Sequence, residues 1–85
     1  MPLLVICLRN AQFVARDEGR EFVDPHAAMA AGLSSAATVA ANEIIAGRSS
    51  TAIVVTIEQE DGTPLLDSVL ALSVSSLLTP AMDDH

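Results

Sequence analysis

The stretch between Asp24-Pro25 and Gly47 most constrains what this chain can fold into. Asp24 can accept a hydrogen bond from a free amide of a first helical turn, and Pro25 suits the first helical position. Alanine, which dominates the residues between these two ends, has the highest intrinsic helix propensity, and Gly47 supplies a left-handed stop with Arg48 beside the carbonyl end. A helix from Pro25 to about Ala46 is predicted, weakest at Gly32, Ser34, Ser35 and Thr38. Its small residues let it approach a sheet closely, while Leu33, Val39, Ile44 and Ile45 add bulk.

Both flanks read as strands. Leu3 to Leu8 is a continuous aliphatic run closed by RNAQ, whose Asn10 suits a tight turn. FVAR and REFV flank Asp17, Glu18 and Gly19, so the second strand either bends at Gly19 or doubles back there. After the helix, SST is a short linker. AIVVTIEQ then alternates, with Ile53, Val55 and Ile57 on one face and Val54, Thr56 and Glu58 on the other. EDGT and PLLDSVLALSV complete a hairpin. The DEG of residues 17–19 is echoed by the EDG of residues 60–62, and turn chemistry explains both: solvated carboxylates beside a glycine that accepts positive φ.

The expected fold is α+β, strand-strand-helix-strand-strand, an antiparallel sheet with one helix on one face. With 85 residues there is room for one core, so residues 1–79 are expected to form a single domain and 80–85 a flexible acidic tail. Half the residues are hydrophobic, yet Phe13 and Phe22 are the only aromatics. An aliphatic, alanine-rich core of this size stabilises a monomer modestly, at about 25 cal/mol per Å² of apolar area, and small cores often recruit a partner subunit.

Eleven carboxylates against four arginines and no lysine give a net charge of −7. Such a surface repels phosphate backbones, so nucleic acid is not an expected ligand, whereas a basic protein partner is compatible with it. LLVICL is too short for a signal-peptide core and lacks a basic stretch before it. The run from Ala27 to Ile45 approaches membrane-spanning length but is interrupted by Ser34, Ser35, Thr38, Asn42 and Glu43. The expectation is a soluble cytoplasmic protein without a membrane partner.

Candidate chemistry is sparse. Cys7 stands alone, which excludes an intramolecular disulfide and a cysteine metal cage, and reads as a small buried hydrophobe. Asp17, Glu18, Glu21 and Asp24, with His26, could offer oxygen and nitrogen ligands to a hard cation, but their spacing fits no EF-hand loop. There is no GxSxG elbow, phosphate-cradling loop or HExxH motif. No catalytic residue, metal site or cofactor is assigned, and the chain is not expected to be an enzyme.

What the sequence supplies in excess is apolar surface. A single helix covers one sheet face, and on the first strand Leu4, Ile6 and Leu8 alternate with Leu3, Val5 and Cys7, both sets apolar. Whichever set packs on the helix leaves the other uncovered; in the third strand Val54 faces away from Ile53, Val55 and Ile57, and in the fourth Val69 and Ala71 face away from Leu70 and Leu72. Leu3, Val5, Cys7, Val54, Val69 and Ala71 are therefore the candidate interface of a homodimer, with sheets stacked or continuous across an edge.

The order Met1-Pro2, apolar strand, DEGREF, Asp24 before an AA-containing helix, then EDGTPLL resembles a family of short bacterial proteins known only as a domain of unknown function. The resemblance spans nearly the whole chain. Members tend to carry aromatics in the first strand and a Glu/Arg-rich helix, whereas Leu3, Leu4 and an alanine-rich helix stand here. The resemblance implies no catalytic residues, and a non-catalytic interaction or regulatory module acting as a homo-oligomer is the expected role. Residues Arg16 to Leu33 are also similar to the HicB-type antitoxin domain, without the typical proline and glycine pattern before the helix, which implies a small basic toxin as an alternative partner. A weak metal or small-molecule binder is the remaining alternative.

Overall fold

A computed structural model describes residues 3–75. The elements run β1 (Leu3–Arg9), β2 (Val14–Glu21), α1 (Pro25–Ile45), β3 (Ser50–Gln59) and β4 (Pro64–Ser73). The strands form one sheet in the order β2-β1-β3-β4, with each neighbouring pair antiparallel. This is the α+β arrangement expected. The boundary at residue 79 and the tail 80–85 lie outside the described residues.

Local chemistry accounts for both ends of α1. Asp24 Oδ1 accepts from the Ala27 amide at 2.8 Å, and Pro25 occupies the first turn, where a missing N–H costs no helical bond. At the other end the Gly47 amide donates to the Ile44 carbonyl and the Arg48 amide to the Glu43 carbonyl. These are the two bonds of a Schellman stop.

The inner stripe of α1 is made of Ala28, Met29, Gly32, Ala36 and Ala40, all buried. It packs on Leu4, Ile6 and Leu8 of β1 and on Ile53, Val55 and Ile57 of β3, with Phe13, Phe22, Leu66 and Leu70 at its margins. Fully burying a Val or Ile side chain stabilises by about 1.5–3 kcal/mol, so β1 and β3, the two central strands, carry most of the core. By length and composition alone α1 could cross a membrane. In this fold its inner stripe is committed to the sheet.

The two acid-and-glycine segments fold differently. At Gly62, φ is +93°, the Gly62 amide donates to the Gln59 carbonyl, and Asp61 Oδ1 accepts from the Thr63 amide at 2.9 Å. This is the hairpin tip expected of EDG. At Gly19, φ is +73°, yet the chain does not reverse. Leu4 pairs with Arg20 and Ile6 with Asp17, which leaves Val5 facing both Glu18 and Gly19. DEG is thus a β-bulge inside β2: of the two readings the strand bends at Gly19 rather than doubling back, and the expectation of a turn there is corrected. The β1–β2 reversal lies earlier, where Asn10 Oδ1 accepts from the amides of Gln12 (2.8 Å) and Phe13 (3.0 Å).

Candidate interaction surface

The sheet face away from α1 carries β1 residues Leu3, Val5, Cys7 and Arg9, since the alternate residues Leu4, Ile6 and Leu8 point into the core. Register extends this face sideways: Cys7 is paired with Arg16 of β2 and with Thr56 of β3, and Val54 is paired with Val69 of β4. All six expected interface residues lie on this face, and they differ sharply in exposure. Leu3 is 39% exposed and Val69 64%, Ala71 is exposed, and Cys7 and Val54 are half-buried.

Val5 departs from the expectation, because it is 2% exposed within a single chain. It belongs to a recess lined also by Arg16, Gly19 and Glu60. Arg16 reaches across β1, its Nη1 3.0 Å from Glu58 Oε1 and 3.5 Å from Cys7 Sγ. The centre of the face is therefore roofed by its own side chains, and the continuous apolar surface predicted from alternation is broken there. Alternation reveals which side a residue points to; the diagonal reach of a long arginine between strands distant in sequence is invisible to it. Burial pushes the Cys7 thiol up, the Glu58 carboxylate adds to that, and Arg16 opposes both. The thiol of such a cysteine is a weak nucleophile at neutral pH.

Two of the residues considered as cation ligands, Asp17 and Asp24, have other roles. Asp17 Oδ2 is 2.9 Å from Arg20 Nη1, a pairing created by the bulge, which places residues three apart on one face. Arg20 in turn lies 5.1 Å from the Phe22 ring centroid. Asp24 caps α1, and His26 is exposed. Among the described residues no three of His, Cys, Asp and Glu converge as metal ligands. A cleft of about 450 Å³ near the start of α1 is lined by Leu3, Leu4, Pro25 and Leu65 together with Glu60 and Asp61.

One polar cluster was not foreseen. Glu43, in the last turn of α1, accepts from Asn10 Nδ2 at 3.1 Å through Oε2 and from Thr51 Oγ1 through Oε1. A carboxylate there opposes the helix dipole, and that misfit was the available signal that it had specific partners. The cluster ties the β1–β2 turn and the start of β3 to the helix end.

The family model for a domain of unknown function, DUF6894, matches residues 5–71, from within β1 to within β4. The chain belongs to the DUF6894 family. No curated protein and no solved structure matches it significantly. In this DUF6894 chain the exposed large apolar side chains are unevenly placed: Leu65, Val69 and Leu72 lie on β4 and Val74 just beyond it, whereas β1, β2 and α1 have one each, Leu3, Val14 and Ile45, and Val23 lies between β2 and α1.

Proposed function

We propose that this DUF6894 domain is a small, soluble, non-catalytic interaction module that works as a homo-oligomer. The observation that carries the reading is the concentration of exposed apolar side chains along the β4 edge of the sheet, with Val69 at 64%, Val74 at 51% and Leu72 at 38% exposure. Apolar area of this kind favours association once it is removed from water. The small alanine-rich core supports it as well, since a second subunit adds apolar burial to a core that is modest by itself. The commitment of the inner stripe of α1 to the sheet supports a soluble form.

Sedimentation equilibrium of the full chain at micromolar concentration tests this. The expected result is a species of twice 8.8 kDa. An 8.8 kDa monomer across the accessible concentration range would overturn it.

A further inference from the structure

We infer that the subunits join through the outer edge of β4, pairing it antiparallel with β4 of a second copy about a two-fold axis at Val69, so that the two sheets become one. This rests on the homo-oligomer reading and names its surface.

The two edges of the sheet are unlike. β2, at one edge, is interrupted by the bulge at Glu18–Gly19 and carries Arg16, Asp17, Glu18, Arg20 and Glu21 in eight residues. Bulges and charges of this sort are what keep an edge strand from pairing. β4, at the other edge, has ten residues, one charge, Asp67, and a proline only at its first position. Its single register shift lies at the Pro64 end, leaving residues 66–73 in regular pairing with β3. No described residue pairs with its outer side.

The direction of the free backbone groups is set by the ladder. The Val74 amide donates to the Ser49 carbonyl, so the alternate residues Leu72, Leu70, Ser68 and Leu66 bond to β3. Asp67, Val69, Ala71 and Ser73 consequently present N–H and C=O outward. A row of this kind is self-complementary under a two-fold axis: with the axis at Val69, Asp67 bonds Ala71 of the other copy and Ala71 bonds its Asp67.

That register also matches the side chains. Val69 meets its own counterpart, Leu66 lies across from Leu72, and Leu65 from Ser73. Asp67 lies across from Ala71, which keeps the two carboxylates apart, whereas an axis at Asp67 would oppose them directly.

The test compares the full chain with Ala71→Pro and with Val14→Pro. Ala71→Pro deletes one outward N–H per copy and leaves the β3–β4 ladder intact; Val14→Pro does the same at the β2 edge, since the Asn10 amide bonds the Phe13 carbonyl and the alternation leaves Val14 facing out. Ala71→Pro is expected to weaken the dimer about thirtyfold, two hydrogen bonds being lost across the axis, and Val14→Pro to leave it unchanged. Hydrogen exchange on the unmodified chain gives a second readout that requires no variant. The amides of Asp67, Val69, Ala71 and Ser73 should be protected at high concentration and exposed on dilution. A dimer that tolerates Ala71→Pro, or exchanges those four amides freely, overturns the edge while leaving the homo-oligomer reading in place. A parent chain that is monomeric overturns both.

Discussion

Gly32 on α1 lies so close to β3 that a β-carbon at residue 32 would stand 2.7 Å from Val55 Cγ1 and 3.0 Å from Ile6 Cγ2. A glycine in the middle of a long helix is a local weakness, and here the weakness is what lets the helix settle onto the two central strands. Helix propensity favours alanine over glycine by about 1 kcal/mol, while overpacking a full core costs about 1–3 kcal/mol. With Val55 fully buried, the clash wins. Gly32→Ala should destabilise the fold by about 1 kcal/mol or more, read as a lower urea midpoint. A midpoint that rises would show that the sheet can give way.

Gly19 is required for another reason. Nothing lies within 4 Å of where its β-carbon would be, but its φ is +73°. Gly19→Ala should therefore cost about 1–2 kcal/mol through backbone strain alone, and Gly19→Asn less, because asparagine tolerates this region better. Equal costs for both, in chemical denaturation, would argue against strain as the cause.

Glu43→Ala removes the acceptor shared by Asn10 and Thr51 and is expected to cost about 1–2 kcal/mol, reduced somewhat by relief of its conflict with the helix dipole. Glu43→Gln, which keeps one carbonyl acceptor, should cost less. Thermal melts of the two variants measure the difference; a stabilised Glu43→Ala would mean that the dipole conflict outweighs the bonds.

The Asp61 carboxyl is held below its ordinary value of 3.8, first by the hydrogen bond from the Thr63 amide. A depressed folded pKa contributes stability that is present above the unfolded value and lost as pH falls through the folded one. Stability measured from pH 5 downward should fall less steeply in Asp61→Asn than in the parent. Parallel profiles would show that the bond does not survive in solution.

The helix was legible because its determinants are local: Asp24, Pro25 and Gly47 act within a turn of the residues they cap. The Gly62 hairpin was legible for the same reason, the turn and its glycine being next to each other. The strands themselves were legible as β-branched and alternating runs. The Glu43 cluster and the Arg16–Glu58 pair were not legible, since each joins residues distant in the chain.

By itself, then, the sequence determined four strands, one helix with both its ends, and the reversal at one of the two acid-and-glycine segments, EDG. Only the tertiary structure decided that DEG is a bulge, that Leu4, Ile6 and Leu8 face the helix, and that Val5 is buried on the other side. A strand apolar on both faces fits either way up, and a glycine at positive φ suits a turn and a bulge equally. The choice between such alternatives is made by pairing with β2 and β3, contacts that no short window of sequence contains.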